Sequence, residues 1–163
     1  MMERSVVAVL SALPRKDYRV INNLYFHDGR RSCQLDHLVI SRYGVFVIED
    51  KNYLGIISGN GTDEMLTRKV LGMSYRTRNP INQNDYHINY LLENFPLLSA
   101  NQNALIPMIV FNHSSVLRIK KAHWKVCKIY GLLKTIKSFD IPRLDDNMMQ
   151  KIEEEIQSKN RRK

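Results

Sequence analysis

The sequence predicts a mixed α+β (α/β) fold in which helices pack on a central mixed sheet. Two features of the residue pattern favour this class. Segments near both ends of the chain place apolar residues at helical spacing, and the short apolar runs between them have the alternation typical of strands. The predicted order is one helix, several strands, a helix, two strands and two helices, which is the pattern of a sheet covered by helices.

The N-terminal part begins with a helix and continues with strands. The helix is predicted over residues 2–13, because apolar residues keep helical spacing as far as Pro14, which cannot continue a helix. The following residues form apolar runs separated by an Asp-Gly turn and further glycines. Strands are therefore predicted over residues 20–26, 33–40, 45–51, 56–57 and 64–70.

The C-terminal part combines helices with short buried strands. Pro80 suits the first turn of a helix, which is predicted over residues 80–95. The later segments are predicted as strands over residues 105–111 and 124–130 and as helices over residues 132–138 and 143–158. The last helix has an apolar stripe typical of core packing, which consists of Leu144, Met148, Met149, Ile152 and Ile156.

Length and composition favour a single domain, residues 1–163, in the cytoplasm. The chain has 163 residues, of which 44% are hydrophobic and 25% charged, and this excludes intrinsic disorder and low-complexity arrays. Its two cysteines are too few for a disulfide framework. No apolar run reaches the roughly 18 residues of a membrane span, and the N-terminus lacks the features of a signal peptide. The basic residues 159–163 are predicted to be a frayed tail.

The charge balance favours a polyanionic partner. The net charge is +9 and the pI is about 9.7, which is more positive than solubility requires. Nucleic acid is the expected partner, and a basic surface without a partner is the alternative. The candidate nucleic-acid contacts are Lys69, Arg76, Arg78, His87, Lys120 and Lys121.

Two acids and a lysine stand out on the two strongest strands. Alternation places Glu49 and Lys51 on one face of a strand, after apolar residues that should lie in the core. If residues 41–44 form the hairpin loop, counting back places Asp36 opposite Glu49. The same count places Gln34 opposite Lys51. Opposed Cβ atoms are about 4.5–5.5 Å apart, so the two carboxylates repel each other unless a cation offsets their charge.

This set of side chains fits the hydrolysis of phosphodiester bonds. A Mg²⁺ or Mn²⁺ ion held by Asp36 and Glu49 would polarise the phosphate and lower the pKa of a bound water. Lys51 would orient that water or stabilise the charge on the pentavalent phosphate. Asp50 is expected to face away from the set, and His37, on the opposite strand face, is interpreted as a packing histidine.

Two further segments add candidates, each with an alternative interpretation. Glu3 shares the apolar side of the first helix, so it either points at the sheet or is an N-terminal acid favoured by the helix dipole. Gln83, His87 and Tyr90 fall at i, i+4 and i+7 of a helix and share one face. That face either contacts phosphate or is solvated. His87 is not expected to bind the metal, because hard divalent cations prefer oxygen ligands.

Three stretches of the sequence together form a specific pattern. They are Gln34-Leu35-Asp36-His37, then Gly44-Val45-Phe46-Val47-Ile48-Glu49-Asp50-Lys51-Asn52-Tyr53 with Gly55, then Asn79-Pro80-Ile81-Asn82-Gln83-Asn84 with His87. This combination resembles the nuclease-related domain (NERD) family of the PD-(D/E)XK nuclease superfamily, most closely over residues 2–111. The resemblance implies a restriction-endonuclease-like core of order αβββαβ.

The resemblance also implies roles for individual residues. It makes Asp36 and Glu49 metal ligands and Lys51 the catalytic lysine. It matches Glu3 to an acid of the family's first helix, and Gln83 to a glutamine that follows Asn-Pro.

The function implied is a divalent-metal-dependent nuclease that acts on DNA. One alternative is a nucleic-acid-binding module that keeps the fold without useful catalysis, and another is a structural or interaction domain. Because members of the superfamily often dimerise or depend on partner domains, a homodimer or a partner protein is also consistent with the resemblance.

Overall fold

The computed structural model describes residues 2–162. The helices are α1 (Met2–Leu10), α2 (Pro80–Asn94), α3 (Pro96–Ala100), α4 (Leu132–Lys137) and α5 (Asp146–Lys159). The strands are β1 (Tyr18–His27), β2 (Ser32–Ser41), β3 (Gly44–Lys51), β4 (Gly55–Asn60), β5 (Met65–Val70), β6 (Met73–Arg78), β7 (Leu105–Phe111), β8 (Ser115–Lys120) and β9 (Lys125–Lys128). Within residues 2–162, no helix combines the length and the hydropathy needed to cross a membrane.

The strands form two mixed sheets flanked by helices, which confirms the predicted mixed α+β class. The first sheet has the order β1-β2-β3-β7-β9, with antiparallel pairs up to β3 and parallel pairs beyond it. The second sheet has the order β6-β5-β4-β8, and its β4–β8 pair is parallel. The sequence indicated a single central sheet. The chain enters the second sheet at Gly55, whose φ of +89° suits glycine and where a Cβ would meet the carbonyl of Lys69.

The sequence pattern does not predict β6 and β8. Five of the six residues of β6 are exposed, so this strand lacks the buried apolar run from which the other strands were predicted. β8 alternates between exposed and partly buried side chains, but it lies in a lysine-dense segment. Both are edge strands of the second sheet, and neighbouring strands rather than local apolar pattern define them.

Two helices have different ends from those predicted. α1 ends at Leu10, and the chain continues in turns. α5 begins directly after Asp145, whose side chain accepts the Met148 N–H at 2.7 Å and so caps the helix. The N–H of Arg143, in the predicted first turn, instead donates to the Arg42 carbonyl at 2.7 Å.

Alternation along β2 and β3 sends neighbouring side chains to opposite faces of the first sheet. Leu38 and Val47 lie in a core cluster with residues of α2, α3 and α5. Val39, Phe46 and Ile48 lie in a second cluster with residues of α1 and α4. The first sheet is therefore covered by α2 and α5 on one face and by α1 and α4 on the other.

A third cluster joins the two sheets. Ile57 and Leu66 of the second sheet pack with Ile109 and Phe111 of β7 and with Ile81 in the first turn of α2. All five side chains are fully buried. Because the end of β7 lies beside the end of β3, this cluster places the second sheet next to the last residues of β3.

The tail predicted to be frayed contacts β1 in the structure up to Arg162. The Asn160 side chain accepts the Tyr25 N–H at 3.1 Å, and the Arg161 N–H donates to the Tyr25 carbonyl at 2.9 Å. The Arg162 guanidinium lies over the Tyr25 ring, 5.8 Å from its centre. These bonds hold the tail against the edge of β1. Lys163 lies outside the described residues.

The buried Asn79 ties α2 to the second sheet. Its Oδ1 accepts the Ile81 N–H at 3.1 Å, and its Nδ2 donates to the carbonyls of Gly61 at 3.0 Å and Asp63 at 2.8 Å. We expect Asn79→Ala to lower the free energy of unfolding by about 3 kcal/mol, because it removes a helix cap and leaves carbonyls unpaired. Urea unfolding of the variant and the wild type measures this difference.

Asn82→Ala is the matched control for this prediction. Asn82 is exposed and donates to the same Asp63 carbonyl at 3.2 Å. Its loss is expected to cost less than about 1 kcal/mol. Equal effects of the two substitutions would contradict the anchoring role of Asn79.

Candidate active site

The β2–β3 hairpin has the predicted register, and it brings Asp36 to the end of the ladder. Ile40 lies opposite Val45, and the paired region ends at His37. Asp36 is the next residue, and its carboxylate accepts the Asp50 N–H at 2.9 Å. The Asp36 side chain is therefore held against the backbone of β3 where the ladder stops.

The predicted pairing of Gln34 with Lys51 is not formed. Gln34 is exposed and pairs with β1 rather than β3. Regular alternation in β1 and β2 is interrupted near Asn23, whose φ of 56° is in the left-handed region. This position lies beside the last β2–β3 pair. Leu35 and Leu38, which strict alternation would separate, consequently lie in the same core cluster.

Glu49 is a buried carboxylic acid beside Asp36. It is 2% exposed, and burial followed by the charge of Asp36 raises its pKa to about 7, although Lys51 opposes this effect. Burial also raises the pKa of Asp36, while the hydrogen bond from the Asp50 backbone lowers it. Both acids are thus harder to ionise than in water, and a nearby cation would favour their charged forms.

Lys51 bridges β3 and α2. Its Nζ lies 2.6 Å from Glu49 Oε1 and donates to Gln83 Oε1 at 2.8 Å. Burial lowers the pKa of Lys51, but the charge and the hydrogen bond of Glu49 outweigh burial and raise it overall. Lys51 is therefore a fixed cation. Gln83, identified from the sequence, joins the group from the exposed side of the first turns of α2.

His87 lies on the buried side of α2, which corrects its placement on a solvated or phosphate-binding face. It is 5% exposed, and its Nδ1 is 3.6 Å from Glu49 Oε2, which is too long for a good hydrogen bond. Burial, followed by the charge of Lys51, lowers the pKa of His87 to about 4. A neutral imidazole therefore packs beside Glu49, and Tyr90 on the same helix face is also buried.

Asp50 and His37 lie on the other face of the first sheet, as the alternation predicts. His37 is fully buried, with Nε2 at 2.8 Å from Asp50 Oδ2 and Nδ1 at 2.7 Å from Asn22 Oδ1. Both ring nitrogens have partners, so the interpretation of His37 as a packing histidine is confirmed. The pair holds β3 from the opposite face of the sheet, at Asp50, whose backbone N–H donates to the Asp36 carboxylate.

Glu3 does not join this group. It is exposed in the first turn of α1, while Val6 packs into the core. α1 contributes to the cluster of Phe46 and Ile48, on the sheet face opposite to Glu49. The structure therefore favours the alternative interpretation, in which the N-terminal end of the helix dipole stabilises the charge of this acid.

The donor chemistry of Asp36 and Glu49 fits a hard divalent cation. Within the described part of the chain, no three His, Cys, Asp or Glu side chains are arranged to hold a metal ion. Mg²⁺ needs fewer, since it is usually held by one or two carboxylates together with water and substrate phosphate. The buried Glu49, whose raised pKa disfavours its charged form, is the group that such a cation would ionise.

The predicted basic contacts lie mainly on the second sheet. The exposed members are Lys69, Arg76, Arg78 and Lys120 on the strands and Lys121 directly after β8. They do not surround the carboxylates. Arg78, however, borders an open cleft of about 460 Å³ together with Gln83, and Gln83 holds Lys51.

Asn84 is a buried polar residue that the sequence reasoning missed. It is fully buried, and its Nδ2 donates to the Val47 carbonyl at 3.1 Å, so it docks α2 on β3. The available signal was a polar residue in the apolar helical series of Ile81, Ile88 and Leu91. Nothing in the sequence pattern indicated that His87 lies beside Glu49.

The fold and the site define a mixed α+β protein with an acid pair and a lysine at the end of a central strand. Comparison with known proteins agrees with the fold and family. Residues 2–112 match the model of the nuclease-related domain, NERD, so the chain belongs to this family and the resemblance is confirmed. A Bacillus anthracis protein described as uncharacterized is 31% identical over 154 residues, which is 92% of this chain and 71% of that protein. No solved structure matches the chain significantly.

The raised pKa of Glu49 predicts a pH-dependent stability. Its ordinary value is 4.5, so between pH 4.5 and about 7 the folded protein keeps a proton that the unfolded chain has lost. This stabilising contribution is complete below pH 4.5 and is lost as the pH rises through 7. Over this range we expect Glu49→Gln to gain up to about 3 kcal/mol of unfolding free energy relative to the wild type.

Urea unfolding of both proteins in EDTA, from about pH 5 to about pH 8, measures this change. The comparison with the variant is needed because His87 acts in the opposite direction. Its pKa is lowered to about 4, so its contribution is lost as the pH falls from 6.5 towards 4. A difference between wild type and variant that stays constant with pH would contradict the buried acid.

Proposed function

We propose that this protein is a divalent-metal-dependent nuclease that hydrolyses phosphodiester bonds in DNA. The observation that carries the proposal is the position of Lys51, held between Glu49 and Gln83 beside a second acid, Asp36. Membership of the nuclease-related domain family supports a nuclease-related function. The net charge of +9 supports a polyanionic substrate.

Asp36 and Glu49 would hold Mg²⁺ or Mn²⁺. When bound, the ion would polarise the phosphate and lower the pKa of a bound water. Asp36 contributes a carboxylate that the Asp50 N–H already orients. Glu49 contributes a carboxylate in a dry environment, where electrostatic interactions are stronger than in water.

Lys51 would supply a positive charge rather than a base. Because its pKa is raised, it stays protonated at neutral pH and cannot accept a proton from water. A fixed ammonium group would stabilise the negative charge that grows on the phosphate as it becomes pentavalent. Gln83 accepts a hydrogen bond from that ammonium group and is a positioning residue.

A nucleic-acid-binding module is the second candidate function. The Lys51–Glu49 ion pair favours it, since Lys51 already neutralises the acid that would bind a metal.

Plasmid cleavage distinguishes the two candidates. We expect the wild type to nick or linearise supercoiled plasmid with Mn²⁺ or Mg²⁺, and Lys51→Ala to be slower by about 100-fold or more, because it removes the charge that faces the phosphate. The identically purified Lys16→Ala, at an exposed lysine of the α1–β1 loop, is the control and should cleave like the wild type. Equal cleavage by wild type and Lys51→Ala would indicate a contaminant and contradict the proposal.

Calorimetric titration with Mn²⁺ tests the metal ligands. We expect Glu49→Gln to bind Mn²⁺ at least about 100-fold more weakly than the wild type, since outer-shell changes alone cost about 10–100-fold. Glu3→Gln is the matched control, because this acid is exposed on α1, which packs on the opposite face of the first sheet. An unchanged affinity in Glu49→Gln would rule out Glu49 as a ligand.

A further inference from the structure

The second sheet has an exposed outer face whose charged side chains are all basic. Ile57 and Leu66 mark its inner face, because both lie in the core cluster between the sheets. Strand register and alternation then define the outer face. Its charged side chains, all exposed, are Lys69, Arg76, Arg78, Arg118 and Lys120.

The nearest acids do not lie on the strands that form this face. Asp63 and Glu64 belong to the turn between β4 and β5. The Asp63 carboxylate accepts the Asn60 N–H at 2.9 Å and is thus held within that turn. The four strands contribute no acid to the outer face, although Glu64 borders the open cleft beside Arg78.

Four of the five cations form two lines, one along each edge of this face, and Lys69 lies between the lines on β5. Register places Arg76 and Arg118 at the two ends of one row across the four strands, with the small side chains of Thr67 and Ser58 between them. Arg78 on β6 and Lys120 on β8 continue the two lines in the next row. Three strand spacings separate the edges, so the lines are roughly 14 Å apart at the backbone.

This separation fits the two phosphate backbones that border a groove of double-stranded DNA. The major groove of B-form DNA is about 12 Å wide, and flexible arginine and lysine side chains span the difference. The major groove of A-form RNA is deep and narrow, so its phosphates match the two lines less well.

The composition of the outer face argues against a single-stranded ligand. Sites for single strands combine basic groups with aromatic side chains on which bases stack. The strands place no aromatic side chain on the outer face within the described residues. Tyr75, the aromatic residue of β6, lies opposite Arg68 and therefore on the inner face.

We propose that the outer face of the second sheet binds double-stranded DNA through the phosphates on both sides of one groove. This inference rests on the proposed function, since it names the substrate class of the same site. Arg78 connects the two regions, because it borders the open cleft with Gln83, which holds Lys51. The cleft therefore joins one edge of this face to the residue that holds the proposed catalytic lysine.

The test is fluorescence anisotropy with a labelled DNA duplex in EDTA, which prevents metal-dependent cleavage. Arg76→Gln/Arg118→Gln removes one cation from each line. We expect its affinity at low salt to fall by about 10–100-fold and the slope of log K against log salt to decrease by about 2. Arg4→Gln/Arg15→Gln, at exposed arginines on α1 and the loop after it, is the charge-matched control and should lose less than about threefold.

The wild type should also prefer the DNA duplex over the single strand and over an RNA duplex of the same sequence. Unchanged affinity of Arg76→Gln/Arg118→Gln, an equal loss in the control pair, or tighter binding of the single strand or the RNA duplex would each overturn the proposal. Thermal unfolding of the variants confirms that the exposed substitutions leave the fold intact.

The cleavage and binding experiments can contradict the nuclease proposal and the binding-face proposal independently. If Lys51→Ala abolishes plasmid cleavage but the Arg76/Arg118 pair does not affect duplex binding, the proposed function stands and the binding face is wrong. If the wild type does not cleave but the pair weakens duplex binding selectively, the binding face stands and the nuclease proposal is wrong.

Discussion

A buried carboxylate needs a compensating cation, and Glu49 has one in Lys51, two residues along the same strand. The ion pair offsets part of the cost of removing Glu49 from water, yet burial and the charge of Asp36 still raise its pKa to about 7. Two further hydrogen bonds hold the lysine and the second acid in place beside Glu49. Gln83 holds the lysine from α2, and the Asp50 N–H holds Asp36. The site is therefore oriented by hydrogen bonds while its two acids resist ionisation.

The scaffold maintains this arrangement from both faces of the first sheet. On one face, Asn84 docks α2 on the carbonyl of Val47, which precedes Glu49 by two residues. On the other face, the buried His37–Asp50 pair fixes the end of β3. Since strand alternation separates Glu49 from Asp50, acids next to each other in sequence have different environments. Glu49 pairs with Lys51 at the proposed metal site, and Asp50 pairs with His37 on the other face.

The second sheet adds a basic surface without surrounding the acids with cations. Its inner face joins the core through Ile57 and Leu66, while its outer face carries the exposed basic side chains. Asn79 links this sheet to α2 through the cap and the carbonyls of the β4–β5 turn. Hydrogen bonds therefore join α2, which holds Lys51 through Gln83, to the sheet that carries the proposed DNA-binding face.

The sequence by itself determined the mixed α+β class, the β2–β3 register and the grouping of Asp36, Glu49 and Lys51. These depend on alternation and a short hairpin, which are local properties. Tertiary structure decided the rest. His87 and Gln83 share a helix face, yet docking against β3 buries the first and exposes the second. Glu3 is displaced from the site because its helix packs on the opposite face of the sheet. The sequence predicted β4 and β5 but not that they belong to a separate sheet, because the order of strands depends on contacts between distant residues rather than on spacing along the chain.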